Sequence, residues 1–282
     1  MARLIGGVGS SHVPAIGNAI EQKLQGEPYW KPFFKGYEPV WQWMEEKKPD
    51  VAILVYNDHG LNFFLDAMPT FAIGAAAEYQ NADEGWGLKP LDPFKGDPDF
   101  SWHLIDSLVH DEFDITMCQE MQVDHGFTVP MSLMWPQQAL REQVKVIPLC
   151  VNVVQYPFPT ARRCLRLGEA IGRAVASYEE DLDVVILGTG GLSHQLDGER
   201  AGHINREFDM EFLGRLKDDP EWLLQFSNYD LADKVGSQGV EMIMWLIMRG
   251  ALGDNIRELS RNYHIPISNT AAGVVLFEAL TP

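Results

Sequence analysis

The chain has 282 residues, of which 46% are hydrophobic and 11% aromatic, enough for one large α/β domain or two small ones. The formal net charge of −18 argues against nucleic acids and anionic membrane surfaces as partners, because both require a basic face. The three cysteines, Cys118, Cys150 and Cys164, include no Cys-x-x-Cys pair, so we expect neither a disulfide framework nor a thiolate metal site.

Targeting and membrane signals are also missing from the sequence. Residues 1–7 lack the apolar core of a signal peptide. No apolar run reaches the ~18 residues that a membrane span needs. With three cysteines that we interpret as ordinary core residues, this predicts a cytoplasmic protein without a membrane partner.

The first predicted element is a short strand over residues 3–8, which ends in a polar stretch that contains His12. Apolar and aromatic residues then recur at helical spacing over 28–47, which predicts an amphipathic helix interrupted near Gly36 and Pro39. Next comes the continuous apolar run of residues 51–56, which is typical of a strand buried on both faces of a parallel or mixed sheet.

Residues 61–100 are rich in Gly, Pro, Asp and aromatic side chains and predict a long, irregular loop insertion. A helix over 99–110 and a short strand over 113–118 are expected next. The segment 124–130 contains His125 and should lead into a short helix.

The second half of the chain predicts strands over 144–154 and 183–187, separated by a helix over 161–178 that Thr160 caps. A glycine-rich stretch that contains His194 follows the second of these strands. Four helical patterns then occupy 205–217, 220–226, 229–235 and 238–249. Gly250 is expected to cap the last helix, and a final strand is expected over about 272–277.

No internal repeat or low-complexity linker divides the chain, so we predict one α/β domain over residues 1–282. Its central mixed β-sheet should be flanked by helices on both faces. In such sheets, ligands bind beyond the carboxyl ends of the strands. The chemistry should therefore lie where the strands end.

Four of the eight histidines, His12, His59, His125 and His194, follow strands or lie in loops beside small residues. Any single one is more often a structural residue, but strand ends converge in an α/β sheet and four of them favour a site. Helical or surface positions are expected for His103, His110 and His203. His264 is ambiguous, because it lies beside a candidate binding loop.

Glu241 lies in a helical segment that is apolar on nearly all sides, with no Lys or Arg within one turn. A buried carboxylate without a partner would cost several kcal/mol or would protonate. Metal binding and a structural role, as an ion pair with a distant arginine or as a charge at a helix N-terminus, are equally supported. Two histidines and a carboxylate form the facial triad of non-heme Fe(II) sites, although zinc also uses such a set.

The glycine-rich stretch 188–191 resembles a phosphate-binding loop, but no Gly-Lys-Ser/Thr follows and the Gly-x-Gly-x-x-Gly spacing fails at Ser193. Nucleotide binding is therefore disfavoured. A nucleophilic pair of Ser193 and His194 is disfavoured too, because adjacent side chains at a strand end point apart. The glycines would instead bring His194 close to a small ligand.

Together, these segments resemble the class III extradiol ring-cleaving dioxygenases, and among them the catalytic β subunits of protocatechuate 4,5-dioxygenases. The likeness is carried in order by residues 10–14 (SSHVP), 56–59 (YNDH), 82–87 (ADEGWG), 123–126 (VDHG), 188–195 (GTGGLSHQ), 239–241 (GVE), 244–252 (MWLIMRGAL) and 264–270 (HIPISNT). It covers almost the whole chain. The ordered set is specific, although each segment alone is weak.

The resemblance implies a role for each matching residue. Fe(II) would be held by His12, His59 and Glu241. His194 would act as the acid/base, and His125 would contact a substrate hydroxyl. Ser268 and Asn269 would bind the ring carboxylate of a catecholic acid. The implied reaction opens the ring beside the two hydroxyls with O₂, and Asn57 and Asp58 are expected to orient His59.

Two departures from the family pattern bear on partners and substrate. Some relatives that cleave gallate carry an additional domain after the catalytic one, whereas this chain ends at Pro282. We therefore expect a separate small α subunit, homodimerisation, or both. Ile267 is bulkier than the alanine that the family pattern suggests, which leaves protocatechuate, gallate and 3-O-methylgallate open as substrates.

The sequence is also compatible with two functions outside this family. A zinc hydrolase could use the same triad. A non-catalytic binding module could keep the fold, although a broken triad would fit that reading better and this triad is intact.

Overall fold

A computed structural model describes residues 1–267 and 269–280, although not the side chains of Pro266 and Ile267. The main sheet has eight strands in the spatial order β10-β11-β1-β9-β2-β8-β3-β6. In that order the strands are Ile256–Ile267, Thr270–Ala279, Arg3–Ser10, Asp183–Thr189, Val51–Tyr56, Lys145–Val151, Phe71–Gly74 and Thr116–Cys118. The predicted α/β class with a central mixed sheet is confirmed.

The middle of this sheet is parallel. Strand β9 pairs in parallel with both β1 and β2, and β2 pairs in parallel with β8. The hairpin β10–β11 joins β1 in the antiparallel sense, and β3 joins β8 in the same way. Strands β1, β9 and β2 therefore end at one edge of the sheet, and the stretches that contain His12, His194 and His59 follow directly.

Helices cover both faces of the sheet. One apolar core lies between the sheet and α4 (Pro98–His110), α7 (Ala161–Ser177), α8 (Arg206–Arg215) and α10 (Ile243–Ala251). The other packs against α1 (Pro14–Glu21), α2 (Lys31–Lys35), α3 (Glu38–Lys47) and α5 (His125–Met134). Strand β2 serves both cores, because Ile53 belongs to the first and Leu54 to the second, and all six of its residues are buried.

Smaller elements complete the chain. They are α6 (Gln138–Arg141), α9 (Asn228–Val235), two 3₁₀ turns (Pro220–Gln225 and Gly239–Met242), and a three-stranded sheet of β5 (Phe94–Lys95), β4 (Glu78–Asn81) and β7 (Gln122–Val123). Cys150 and Cys164 are buried and Cys118 is half-buried, all three as free thiols. Among the described residues, no helix is both long and apolar enough to span a membrane.

The segment 61–100 differs from the expected loop. It contains β3, a member of the main sheet, as well as β4 and β5. Strand β3 has only four residues between turn-forming neighbours, so periodicity alone gave no signal for it. The helix α1 was also missed; it begins at Pro14, and proline is favoured in the first turn of a helix.

One expectation near the carboxyl terminus is wrong, and one strand there was missed. Gly250 lies inside α10, and a Cβ atom there would lie 2.3 Å from the carbonyl oxygen of Leu165, so close packing against α7 explains the glycine. Strand β10 was not predicted. It pairs with β11 at the edge of the sheet, and its mostly polar residues over 257–264 are exposed or half-buried, so they lack the apolar run of a buried strand.

Candidate metal centre and active site

A cavity of about 940 Å³ opens at the edge of the sheet where β1, β9 and β2 end. His12, His59, His125, His194 and Glu241 all line it. The structure therefore brings together the four histidines and the glutamate that the sequence singled out. Pockets beyond the carboxyl ends of parallel strands are the usual ligand sites of this fold class.

His12, His59 and Glu241 form the tightest group. One ligand atom from each lies within 4.8 Å of the others. Nε2 of His12 is 3.4 Å from Oε2 of Glu241, and the rings of His12 and His59 have their centres 5.4 Å apart. His12 and Glu241 are buried, whereas His59 has an exposed edge.

The buried carboxylate of Glu241 has local partners rather than an arginine. It lies on the 3₁₀ turn before α10, and the backbone N–H of Gly191 donates a 2.7 Å hydrogen bond to its Oε2. Burial raises the pKa of Glu241, but His12 and His194 more than offset this, so the carboxyl pKa lies well below its usual range. The guanidinium of Arg249 donates to the carbonyls of Leu216, Lys217 and Gly253. The structural alternative of an ion pair with that arginine therefore fails.

The hydroxyl of Thr189 fixes the orientation of His12. It donates its hydrogen to the carbonyl of Val55, at 2.9 Å, and lies 3.0 Å from Nδ1 of His12. A hydroxyl has only one hydrogen, so Nδ1 of His12 donates to Thr189. The Nε2 lone pair of His12 is then left for the cavity, as a metal ligand requires.

Asp124 anchors His59. Its Oδ2 accepts from the backbone N–H of His59 at 2.7 Å and from Nδ1 at 3.0 Å, so Nε2 is the ring nitrogen left for a metal. Burial lowers the pKa of His59, but the charge and hydrogen bond of Asp124 together with the charges of Glu241 and Glu84 outweigh it and raise the pKa to about 9. A metal ion therefore competes with a proton at His59.

Asn57 and Asp58, both expected to orient His59, behave differently. The side-chain amide of Asn57 lies 3.1 Å from Nε2 of His59. Asp58 instead accepts from the backbone N–H groups of residues 60–63 and shapes the turn after β2. The supporting carboxylate comes from Asp124, which is 65 residues away in sequence and was not expected there.

His125 is the first residue of α5, and Asp124 is the N-cap. Nδ1 of His125 lies 2.9 Å from Oε1 of Glu84, and a carboxylate can only accept, so Nδ1 donates. The His125 ring lies between the rings of His59 and Trp86, with centre separations of 3.9 and 5.2 Å. Burial, followed by the neighbouring His59, lowers the pKa of His125.

His194 lies near the same carboxylate oxygen of Glu241 as His12. Its Nδ1 donates to the carbonyl of Leu192 at 2.9 Å, and its Nε2 lies 4.0 Å from Oε2 of Glu241. The preceding Ser193 points away, into a buried hydrogen bond of 2.6 Å with Asp209. The structure thus supports the argument against a Ser193–His194 nucleophilic pair.

All four histidines therefore share one arrangement. Each Nδ1 is held by an acceptor, and each Nε2 is the ring nitrogen left for the cavity, with that of His59 also 3.1 Å from the side-chain amide of Asn57. His12, His59 and Glu241 supply two imidazoles and one carboxylate on one side of a roomy cavity, the donor set of a 2-His-1-carboxylate centre with open positions. A second group, His59, Asp124 and His125, also has its ligand atoms within 4.8 Å of one another, but both oxygens of Asp124 already accept hydrogen bonds, from His59 and from Gly126.

The remaining expected residues lie elsewhere. Ser268 is outside the described residues. Asn269 is exposed in the turn before β11 with a φ of 63°, and it does not belong to the cavity lining, so its role stays a prediction. His264 packs near the rings of Tyr29 and Phe33. His103 and His203 hydrogen-bond to backbone carbonyls and His110 is exposed on α4, as expected of residues outside the site.

Comparison with known proteins agrees with the family that the sequence resembles. The family described as the catalytic LigB subunit of aromatic ring-opening dioxygenase matches residues 6–274. A gallate dioxygenase of Pseudomonas putida is 44% identical over 197 residues, which are 70% of this chain and 57% of that protein. A 2,3-dihydroxyphenylpropionate/2,3-dihydroxicinnamic acid 1,2-dioxygenase of Photorhabdus laumondii is 30% identical over 200 residues, 71% of this chain and 59% of that protein.

A second enzyme of the latter kind, from Azotobacter vinelandii, is 39% identical over 153 residues, 54% of this chain and 46% of that protein. The aligned part thus spans about half the length of these relatives. Among solved structures, the uncharacterized protein JW3007 of Escherichia coli K12 is similar with a TM-score of 0.59. It is 12% identical, with 96% of this chain and 99% of that chain covered, which supports the fold alone.

Proposed function

The chain belongs to the family of catalytic LigB subunits of aromatic ring-opening dioxygenases, and we propose that it cleaves a carboxylated catechol by the extradiol route with O₂. The observation that carries the proposal is the convergence of His12, His59 and Glu241 at the edge of the sheet. Two further histidines, His125 and His194, line the same cavity. A binding module that had lost catalysis would have no need to retain this complete set.

We infer that the metal is Fe(II), held by His12, His59 and Glu241. Two neutral imidazoles and one carboxylate leave a ferrous ion with net positive charge and with positions for a catecholate and O₂. When bound, the ferrous ion supplies the electron transfer that lets a closed-shell catechol react with O₂. Asp124 and Thr189 hold the two imidazoles so that only Nε2 is offered to the metal.

His125 and His194 handle the protons. With its Nδ1 committed to Glu84, His125 offers Nε2 as an acceptor for a hydroxyl of the bound catechol. The Nε2 of His194, 4.0 Å from Oε2 of Glu241, would accept a proton from the substrate and return it as the ring opens. Both histidines are nearly buried, which restricts competing water at these atoms.

The substrate class is a catecholic acid, with gallate and protocatechuate as the first candidates. The 44% identity to a gallate dioxygenase supports gallate ahead of protocatechuate, the substrate that the sequence alone suggested. Among the described residues that line the cavity there is no Lys or Arg. The ring carboxylate would therefore be held by neutral donors, for which Ser268 and Asn269 are the candidates.

A second chain, either a small α subunit or another copy, would complete the mouth of the cavity. Two apolar residues of the cavity lining, Leu196 and Val154, are exposed, and Phe64 and Leu65 are exposed on the segment after β2. Exposed apolar surface beside a binding cavity is a feature of many protein interfaces. Light scattering and a turnover assay on the chain expressed alone test this. Full activity from a stable monomer would contradict the need for a partner.

Turnover of a substrate panel tests the proposed function. The protein is loaded with Fe(II) without air and mixed with gallate, protocatechuate, 3-O-methylgallate and unsubstituted catechol, while O₂ uptake and the ring-opened product are followed. We expect uptake with the acids, fastest with gallate, and little with catechol. Metal analysis runs beside it, because tightly bound zinc without oxygenation would favour the zinc hydrolase instead.

A further inference from the structure

In the segment 82–87, the side chain of Glu84 makes two hydrogen bonds to the start of α5. Its Oε2 accepts the backbone N–H of His125 at 2.8 Å, and its Oε1 accepts Nδ1–H of the same residue at 2.9 Å. Both bonds have normal length, and the carboxylate is mostly buried, with 13% of its side chain exposed. One carboxylate therefore accepts hydrogen bonds from both the backbone and the ring of His125.

Helix capping alone does not explain this carboxylate. Asp124 already caps α5, since its Oδ1 accepts the N–H of Gly126. A second, nearly buried carboxylate adds a desolvation cost in a chain with a net charge of −18. The side chain that Glu84 contacts is the His125 ring itself. The contact is thus directed at the imidazole.

We propose that Glu84 is the positioning residue of His125: by accepting from Nδ1–H it imposes one tautomer and keeps Nε2 as a hydrogen-bond acceptor toward the substrate. The inference rests on the proposed function for the identity of the group that Nε2 meets. The ring is also held between His59 and Trp86, so it keeps its position and Glu84 decides which nitrogen carries the proton. An imidazole in the wrong tautomer loses its role even where the geometry is intact.

The substitution Glu84→Gln should change the tautomer of His125 without moving its ring. Glutamine has the same length but only one acceptor oxygen, and the backbone N–H of His125 needs it. Its NH₂ group then faces Nδ1, which must become the lone pair, so the proton moves to Nε2. Glu84→Asp keeps a carboxylate on a shorter side chain, and Glu84→Ala removes the acceptor.

Histidine-labelled protein read by long-range ¹H–¹⁵N NMR tests the tautomer directly, both metal-free and with diamagnetic Zn²⁺. A His125→Gln variant assigns the signals. We expect a protonated Nδ1 and an unprotonated Nε2 for His125 in the unsubstituted protein, the reverse in Glu84→Gln, and a mixture in Glu84→Ala. An Nε2–H form in the unsubstituted protein, or the same tautomer in Glu84→Gln, would overturn the proposal.

Kinetics on gallate and protocatechuate test the consequence. Glu84→Gln should lower kcat by about 100-fold or more with a smaller change in KM, because the proton acceptor is lost while the cavity keeps its shape. Glu84→Asp should recover part of kcat. Lys89→Gln is the matched control, since its exposed side chain pairs with Glu21 just beyond the same segment. An inverted His125 tautomer in Glu84→Gln with unchanged kcat would contradict the role of Glu84. An unsubstituted protein that is inactive on both acids would instead contradict the proposed function, and the NMR result alone would then decide whether Glu84 sets the tautomer.

Discussion

The backbone N–H of Gly191 and Oε2 of Glu241 are joined by a 2.7 Å hydrogen bond across the end of β9. The glycine-rich stretch 188–191 therefore binds an anion, but that anion is the carboxylate of Glu241 and not a phosphate. It brings Glu241 beside His12 and leads the chain on to His194. One turn thus places the carboxylate ligand and the proposed acid/base.

Gly190→Ala should weaken this arrangement. Gly190 has a φ of +127°, and a Cβ atom there would lie 2.8 Å from the Cβ of Glu241. We expect a loss of about 1–3 kcal/mol in unfolding free energy and weaker Fe(II) binding, measured by denaturant titration and metal analysis. Gly253→Ala is the control, because its φ is also positive but the space around it is open. Equal metal affinity in both variants would show that the contact with Glu241 is unimportant.

The His59–Asp124 pair should make the metal-free protein less stable as pH rises. Burial lowers the pKa of His59, but Asp124, with smaller contributions from Glu241 and Glu84, raises it from 6.5 to about 9 overall. The stabilisation is complete below pH 6.5 and is lost as pH rises through 9, because the unfolded chain releases its proton first. We expect a loss of about 1–2 kcal/mol across this window, reduced because the ring edge is exposed.

Denaturant titrations of the metal-free protein from pH 6 to pH 9.5 measure this effect. Asp124→Asn should remove most of the slope while it keeps a good N-cap for α5. A slope that is equally steep in Asp124→Asn would assign the pH dependence to other groups.

The positions of His12, His59 and His194 could be predicted from sequence, because buried parallel strands were recognisable and their carboxyl ends meet at one edge. Glu241 could be identified because a carboxylate among apolar residues needs a partner. The partners Asp124 and Glu84 could not: their contacts with His59 and His125 span 65 and 41 residues, and they depend on how 82–87 and α5 pack. The short β3 and the polar edge strand β10 were not predicted for a related reason: their pairing with neighbouring strands defines them, and their sequences show no strand periodicity.

Thr189→Val should lower metal affinity without removing a ligand. The substitution deletes the hydroxyl that accepts from Nδ1 of His12, so the imidazole loses its fixed orientation. We expect Fe(II) affinity to fall by about 10- to 100-fold in anaerobic titrations. Thr116→Val, at an exposed position on β6, controls for the change of side chain. Unchanged affinity would mean that Thr189 does not orient the ligand.

His194→Gln should abolish most turnover while the metal site stays intact. Its ring is beside Glu241, but it does not belong to the ligand group of His12, His59 and Glu241. We expect kcat to fall by about 10²- to 10⁴-fold at normal Fe(II) content. His103→Gln, on α4, should behave like the unsubstituted protein. Normal turnover by His194→Gln would remove His194 from the proton transfers.

The central claim is that His12, His59 and Glu241 bind a ferrous ion that activates O₂ for ring opening. The most direct measurement loads the protein and Glu241→Gln with Fe(II) without air, determines bound iron, and then follows O₂ and gallate consumption together. We predict one iron per chain in the unsubstituted protein, equal consumption of O₂ and gallate, and loss of both tight binding and uptake in Glu241→Gln. Iron binding and uptake that survive in Glu241→Gln would contradict the claim.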